Sequence, residues 1–237
     1  MKILGLETST AILSLAIIDE EELIVDYTRN LGLHHSKELM PSIAEIIEEN
    51  GLTIKEIEGL SVSIGPGSFT GLRIGLATAR GLAQSLNIPL AGIPTLDGIA
   101  FNLLFSNSVV CPILDARKGE VYAALYRMDG RGGMEKLTNY LVLPPERLIT
   151  LIERPTLFLG NGLKVYGDLL KDALREQAHF PPDHFGIPGA ANIAHLGLRE
   201  IKEGRIKDLS SILPLYLRKS EAEIKWQKMY PNSLLDH

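Results

Sequence analysis

A glycine-rich stretch at residues 65–75, GPGSFTGLRIG, has the composition of an anion-binding turn. It lies between an apolar run at 60–64, which predicts a strand, and a predicted helix, where free N–H groups and the helix dipole favour negative charge. The P-loop pattern requires Lys and then Ser or Thr after the last glycine, whereas Leu72 and Arg73 follow Gly71. The dinucleotide pattern also fails, because its third glycine comes one residue late. The stretch is therefore either a different kind of anion cradle or a packing device.

Acidic residues at two predicted strand ends point to similar chemistry. Glu7 follows the apolar run 2–6, Asp115 follows the run 109–114, and a Gly-Asn-Gly turn at 160–162 follows a third strand. A nucleotide cleft uses such groups around phosphates, but the turn after Glu7 has no glycine and the turn after Asp115 has its glycine late. An intact ATPase site, a vestigial nucleotide cleft and the absence of any nucleotide role all stay open. The candidate cleft residues are Thr8, Ser9, Asp115, Gly160 and Gly162.

Metal and nucleophile chemistry have less support. His34 and His35 are adjacent, so they cannot both face one ion from a helix, and Leu39 stands where a ligand four residues after His35 would be needed. We therefore predict no metal site and no bound cofactor. Cys111, the only cysteine, lies in an apolar run and is predicted to be buried. Ser68 is not part of a hydrolase elbow, and the simplest reading makes Ser68 or Thr70 the N-cap of the following helix.

The elements that must position these groups occur twice along the chain. The first half reads βββ-α-β-α-β-α, and the second half repeats this order with its own acidic strand end and glycine turn. Three antiparallel strands followed by αβα units are typical of ribonuclease-H-like lobes. Two such lobes describe the fold of the actin, sugar-kinase and chaperone ATPase superfamily. The predicted strands are 2–6, 11–18, 22–28, 60–64, 89–93, 109–114, 120–127, 135–143 and 156–159, and the predicted helices are 36–50, 70–86, 95–105, 144–152, 163–177 and 190–203.

The predicted organisation is an N-terminal lobe at 1–105, a C-terminal lobe at 106–213 and a tail at 214–237 that packs back on the lobes. The 237 residues carry a net charge of −5, which does not favour a nucleic-acid binder that works alone. The chain enters a strand at once, without a leader pattern, and contains no apolar run of membrane-spanning length. We therefore expect a cytoplasmic protein.

Small residues recur every four positions in the helix after the glycine-rich stretch. Gly71, Gly75 and Ala79 form one such row. A glycine inside a helix costs roughly 1 kcal/mol relative to alanine, so the row needs a reason. One reason is tight packing on the chain's own sheet, and the other is a helix–helix interface with another subunit.

Several motifs together resemble the bacterial TsaB family, also called YeaZ. They are KILGLETST at 2–10, His35-Ser36 with Leu39 and Pro41, GPGSFTGLRIG at 65–75, DARKGEVY at 115–122 and PLYLR at 214–218. The similarity spans the whole chain. It implies the two-lobed fold and a non-catalytic scaffold or activator that pairs with TsaD, which transfers a threonylcarbamoyl group to the adenosine beside the anticodon of tRNA.

The resemblance also implies which partners and surfaces matter. TsaE would join a ternary complex, and tRNA would be met only through the complex. Self-association in the absence of TsaD stays open, since the same small-residue helix could serve a homodimer. Only His35 of the TsaD metal histidines has a counterpart here, so the metal site does not carry over. An independent ATPase or kinase, and less favourably a glycoprotease-like metallopeptidase, are the alternatives. The expected partner-interface residues, on the helices at 36–50 and 70–86, are His35, Leu39, Ile43, Ile46, Phe69, Leu72, Gly75, Leu76 and Ala79.

Overall fold

The computed structural model of the chain describes residues 1–20, 22–30, 32, 34–218, 226 and 229. Most of the predicted amphipathic tail after residue 218 therefore lies outside the described residues. Within the described part, no helix is both long enough and apolar enough to cross a membrane.

A mixed sheet forms the first half of the fold, with five strands in the order β3-β2-β1-β4-β5 among the described residues. β1 pairs antiparallel with β2 and parallel with β4, so the acidic end of β1 lies at the same edge as the glycine-rich end of β4. β1 and β2 are buried along nearly their whole length, as expected for strands that are covered on both faces. The strands are β1 (Lys2–Glu7), β2 (Ile12–Asp19), β3 (Glu22–Asn30), β4 (Gly59–Gly65) and β5 (Leu90–Pro94).

Two helices, α1 (His35–Glu49) and α2 (Phe69–Leu86), cover one face of this sheet. Leu4 and Leu6 of β1 point toward them and belong to the same buried cluster as the apolar stripes of both helices. A short 3-10 turn with a capping box at Thr53 and Glu56 joins α1 to β4, as the sequence predicts. Pro41 lies inside α1 beyond its first turn.

The second sheet departs from the predicted repeat of three long strands. Residues 120–127 and 135–143 each form two short strands rather than one. In the first run, residues 120–123 pair with the C-terminal part of β6, whereas Tyr126 pairs with Val110 near its start. Ala124 and Leu125 turn the chain between these two pairings and are buried. The strands are β6 (Val109–Arg117), β7 (Glu120–Ala123), β8 (Tyr126–Met128), β9 (Met134–Lys136), β10 (Leu141–Leu143), β11 (Thr156–Leu159) and β12 (Ala178–His179).

The remaining helices are α3 (Thr95–Phe101), α4 (Pro145–Ile149), α5 (Leu163–Leu174) and α6 (Ala190–Lys202). α4 and α5 pack on one face of the second sheet. α3 packs on its other face, and the same helix also borders α6. α3, α4 and α5 end earlier than predicted, at Phe101, Ile149 and Leu174, and a 3-10 turn follows α5.

α6 does not pack on the half from which it comes. It crosses the opposite face of the first sheet, where Gly5 leaves room for Ala194 and Gly197 leaves room for Ser61. The Ser61 hydroxyl donates to the Ile193 carbonyl over 2.6 Å, which fixes the helix against β4. The division of the chain into lobes at residues 105 and 213 stays our proposal. In that division, α6 belongs to the C-terminal lobe by sequence but packs on the sheet of the N-terminal lobe.

Hydrogen bonds between the two halves converge on α3. Asp97 accepts hydrogen bonds from the phenols of Tyr126 and Tyr140, at 2.6 and 2.9 Å. Burial raises the pKa of Asp97, although the two phenol hydrogen bonds favour the ionised form. Asn102, the C-cap at the other end of α3, donates to the carbonyls of Phe185 and Ile187. The two sheets are therefore joined through a hydrogen-bonded layer rather than through a single hinge.

Candidate functional site

The backbone groups at the start of α2 are already used by the chain itself. Ser68 is the N-cap, as the sequence predicts, and its hydroxyl accepts from the Gly71 N–H over 3.2 Å. The Ser68 N–H donates to the Ser9 carbonyl over 2.6 Å, and the Leu72 N–H donates to the Ser68 carbonyl. The last of these is the first intrahelical bond of α2, but the N–H groups of Ser68 and Gly71 are ones that an anion cradle could otherwise use. The predicted anion-binding turn instead holds the β1–β2 turn.

Small residues in α2 and in the turn before it serve the same contact. A side-chain carbon on Gly67 or Gly71 would meet the carbonyl oxygen of Ser9 or Thr8, and one on Gly75 would meet the Thr8 hydroxyl. That hydroxyl donates to the Gly71 carbonyl over 2.8 Å. Of the two readings left open by the sequence, the described contacts support packing on the chain's own sheet for these glycines.

Glu7 occupies the position of a catalytic carboxylate but is sealed inside the chain. Its side chain has no exposed surface, and its Oε1 accepts from the Ser9 N–H. Its Oε2 and the hydroxyls of Ser9, Ser63 and Thr95 have no hydrogen-bond partner among the described residues. Burial raises the pKa of Glu7 to about 7, although the hydrogen bond from Ser9 favours the charged form. Glu7 is therefore a buried acid without access to a solvent-borne substrate in this conformation.

The second acidic turn is also engaged by its own backbone. Asp115 accepts from the Arg117 N–H over 2.8 Å and pairs with the Arg117 guanidinium at 3.2 Å. Gly160 has a φ of +112°, which glycine tolerates, and a side-chain carbon there would meet the Ile113 carbonyl. The Gly162 N–H donates to the same carbonyl over 3.1 Å. Both predicted glycine sites thus anchor a helix to a strand of the chain itself.

The predicted interface side chains lie mostly inside the chain. Eight of the nine are buried because they form the stripes that hold α1 and α2 on the first sheet, and Phe69 is half-buried. The sequence analysis selected the inner faces of these two helices, since core and interface stripes have the same period. The buried eight are His35, Leu39, Ile43, Ile46, Leu72, Gly75, Leu76 and Ala79.

His35 has a structural contact that its sequence pattern did not reveal. Its ring Nε2 donates to the Thr10 carbonyl over 2.7 Å, which ties the start of α1 to the β1–β2 turn. Among the residues that the structure describes, no group of three or more His, Cys, Asp or Glu side chains is arranged to hold a metal ion. Cys111 is buried, and its burial raises the pKa of the thiol well above the usual range.

One surface feature escaped the sequence analysis. Phe69 and Tyr216 stack with ring centroids 4.0 Å apart and planes 9° from parallel, and Arg73 lies 4.3 Å from the Phe69 centroid. The Arg73 Nε donates to the Tyr216 hydroxyl over 3.0 Å. Leu215 donates its N–H to the Ile64 carbonyl, so the segment at 214–218 closes over the glycine-rich stretch. The only sequence signal was the aromatic residue inside PLYLR, which is 143 positions away from Arg73.

We expect isothermal titration of the isolated chain with Mg-ATP to show no binding tighter than about 1 mM. The physical reason is that the amides of Ser68, Gly71 and Gly162 already have partners within the chain, so phosphate binding would have to break them. Micromolar binding that Asp115→Asn abolishes would contradict this expectation and restore the nucleotide-cleft reading.

The mixed sheets, the acidic strand ends and the exchanged helices define a member of the actin, sugar-kinase and chaperone ATPase fold class. The solved activator of 2-hydroxyisocaproyl-CoA dehydratase from Clostridium difficile, which contains ADPNP, has this fold with a TM-score of 0.53 at 12% identity, over 86% of this chain and 97% of that one. At that identity the likeness extends to the fold alone.

Closer similarities identify the family. The family model for TsaD, tRNA N6-adenosine threonylcarbamoyltransferase, matches residues 29–226. The tRNA threonylcarbamoyladenosine biosynthesis protein TsaB of Bacillus subtilis is 31% identical over 229 residues, which cover 95% of this chain and 98% of the relative. The solved YeaZ of Pseudomonas aeruginosa is 26% identical with a TM-score of 0.78, over 91% of this chain and 99% of that one. The chain belongs to the TsaB (YeaZ) family.

Proposed function

We propose that this chain takes part in the biosynthesis of tRNA threonylcarbamoyladenosine, as a non-catalytic subunit that pairs with a TsaD-type transferase in the cytoplasm. The observation that carries the proposal is the end-to-end similarity to relatives named TsaB. The site geometry supports the non-catalytic part, because the turns that would bind phosphates in this fold class are occupied by the chain's own backbone. A TsaE-type ATPase completes the complex, and the chain supplies no metal or cofactor.

The pairing surface that we propose is the outward face of α1 and α2. It carries small or apolar exposed residues, including Met40, Ala44, Ala77 and Gly81. Met40 is 48% exposed, which is high for a methionine on a helix that packs on a core. The two helices contact each other, so their outward residues lie on neighbouring parts of the surface.

Gly81 provides the most specific argument for this surface. A glycine in the middle of a helix costs roughly 1 kcal/mol relative to alanine. At Gly71 and Gly75 this cost is offset, because the missing side chain allows the β1–β2 turn to pack closely against the helix. A side-chain carbon on Gly81, by contrast, would meet nothing within 4 Å. The fold of the single chain therefore does not require Gly81. The close approach of a partner helix does require a residue of this size.

We expect Gly81→Arg to abolish co-purification with the TsaD-type partner while the chain stays folded. An arginine side chain there would hold a partner helix away by several ångströms and bring a charge into an apolar contact. Gly167→Arg on α5 is the matched control, because its position is also mid-helix and also has room for a side-chain carbon. Equal recovery of the partner with both variants would exclude this face of α2.

The same surface serves a homodimer when the partner is absent, since one set of small outward residues can accept either helix pair. Sedimentation of the isolated chain tests this point. A dimer that Gly81→Arg converts to a monomer agrees with a shared surface, whereas a dimer that survives the substitution places self-association elsewhere.

The function itself is tested by reconstitution. Purified TsaD-type and TsaE-type proteins, a source of the threonylcarbamoyl adenylate and substrate tRNA are combined with and without this chain, and modified adenosine is measured by mass spectrometry. We expect product to depend on the chain. Equal product in its absence, or ATP turnover by the isolated chain, would instead favour an independent enzyme.

A further inference from the structure

Four buried polar groups lie near the ends of neighbouring strands in the first sheet without a hydrogen-bond partner among the described residues. They are the Oε2 atom of Glu7 and the hydroxyls of Ser9, Ser63 and Thr95. Each of these residues has 1% or less of its surface exposed. We call the four residues the Glu7 cluster. Because a buried polar group without a partner is costly, the cluster needs a ligand or a proton arrangement that satisfies it.

Strand pairing brings the members of the cluster together. Leu6 pairs with Val62 in the parallel register of β1 and β4, so Glu7 and Ser63 follow as neighbours on one face of the sheet. Burial raises the pKa of Glu7 to about 7, and the hydroxyls of Ser9 and Ser63 lie close enough to oppose this shift. Neither hydroxyl completes a hydrogen bond of normal geometry with the carboxyl group. The oxygen atoms therefore surround one carboxyl group without satisfying it.

The surroundings of this carboxyl group offer no counter-charge. Ser14, directly opposite Glu7 on β2, accepts from the Ala190 N–H over 2.9 Å and from the Thr28 hydroxyl over 3.0 Å. The first amide of α6 is thus directed to Ser14 and not to Glu7. On α3, Asp97 is engaged by two phenols. Burial and hydrogen bonds account for the shifted pKa of Glu7, and no charged side chain of the described residues contributes to it.

An alkali cation matches the chemistry of the cluster once Glu7 is ionised. Hard cations prefer oxygen ligands, and the cluster offers a carboxylate and three hydroxyls. A single positive charge balances the single carboxylate, whereas a divalent ion would leave an uncompensated charge in a buried place. Magnesium in addition gives up its water reluctantly. The donor set therefore favours sodium or potassium.

We propose that the Glu7 cluster binds one sodium or potassium ion as a structural ion, in exchange for the proton that Glu7 otherwise holds. The ion is not a catalytic metal, because the cluster is sealed inside the chain. The Ser9 carbonyl accepts from the Ser68 N–H, so an ion on the Ser9 hydroxyl would also hold the β1–β2 turn against the start of α2. The inference concerns the isolated chain and does not depend on the proposed function.

Urea unfolding of the full chain tests this proposal, because an ion that binds only the folded state lowers the unfolding equilibrium constant. Unfolding also gives the ion access to a site that is sealed in the folded chain. Curves are measured at pH 8 and at pH 5 in choline, sodium and potassium chloride, each at about 0.1 M so that ionic strength is constant. Choline, a large organic cation, cannot enter a buried set of oxygens and reports the proton alone.

At pH 8 we expect the unfolding equilibrium constant to be about tenfold lower in sodium or potassium chloride than in choline chloride, as for an ion at about ten times its Kd. The salt with the larger effect identifies the ion. At pH 5 the three salts should give the same curve, because the folded chain keeps the proton on Glu7 below its pKa of about 7.

Two serines on one face of β4 provide a matched pair of variants. Ser63→Ala removes an oxygen of the cluster and should reduce the tenfold effect to about twofold. Ser61→Ala removes a hydroxyl that already donates to the Ile193 carbonyl, so it should lower stability but keep the tenfold effect. Glu7→Gln removes the charge and should abolish the difference between the salts.

Two outcomes would overturn the inference. In one, the wild-type chain gives the same curve in all three salts at pH 8, which would mean that the cluster holds a proton or water only. In the other, the alkali effect has the same size in the wild type and in Glu7→Gln, which would place the ion elsewhere. If Glu7→Gln does not fold, equal effects in Ser63→Ala and Ser61→Ala lead to the same conclusion.

Discussion

The free energy of unfolding of this chain is expected to fall by about 3 kcal/mol as the pH rises through 4.5 to 7, and Glu7→Gln is expected to remove that fall. Burial raises the pKa of Glu7 from its ordinary value of 4.5 to about 7. Between these values the folded chain keeps a proton that the unfolded chain has lost, so stability decreases as the pH rises. Below pH 4.5 both states hold the proton, and the contribution is fully present.

Glutamine suits this test because it is neutral at every pH and keeps an oxygen that can accept the Ser9 N–H. Urea unfolding of wild type and variant across pH 4 to 8 gives the difference curve, in which the contribution of the buried Asp97 cancels. Glu176→Gln, at an exposed position, controls for the loss of one acid. Parallel curves for wild type and Glu7→Gln would show that the pKa of Glu7 is the same in the folded and the unfolded chain, and would contradict this expectation.

Gly71→Ala and Gly81→Ala are expected to have opposite effects, although they make the same change in the same helix. The added carbon at Gly71 meets the backbone carbonyl of Thr8, which cannot move without displacing the β1–β2 turn, and we expect a loss of about 2 to 3 kcal/mol. Gly81 has open space and should gain roughly 1 kcal/mol from the better helix propensity of alanine.

Chemical denaturation of the isolated chain measures both effects, and each variant serves as the control for the other. Stabilisation by both substitutions would mean that α2 does not lie against the β1–β2 turn as described. The pair also shows which positions can report on partner binding. A substitution at Gly75 would damage the fold itself, because Thr8 fills the space beside it, whereas Gly81 can be changed without that complication.

Local pattern predicted most of the first half correctly. α1 spans His35–Glu49 where the sequence predicts 36–50, and β4 spans Gly59–Gly65 where it predicts 60–64. These elements have strong periodicity, clear end signals and mostly sequential pairing, so neighbouring residues specify them. Ser68 as the N-cap of α2 is also a local feature, and it is confirmed.

The second half was less predictable because its strands are specified by their pairing. The runs 120–127 and 135–143 look continuous in sequence. In the fold, different parts of β6 pair with different segments, and the strand is interrupted at Ala124 and Leu125 between these two pairings. The two-residue strand β12 has no pattern of its own and exists because β11 provides an edge. Tertiary context overrides weak local preference in such segments.

The amino-acid sequence is enough to predict the duplicated layout, the family and the need for small residues in the helix after the glycine-rich stretch. The role of each small residue is visible only in the folded chain. Gly71 and Gly75 face Thr8 across 63 and 67 positions of chain, whereas Gly81 faces open space. One helical period generates both the core stripe and the outward stripe, so spacing alone cannot assign a face. Which face of α2 a small residue occupies depends on where the β1–β2 turn packs against the helix, and that is a property of the folded chain.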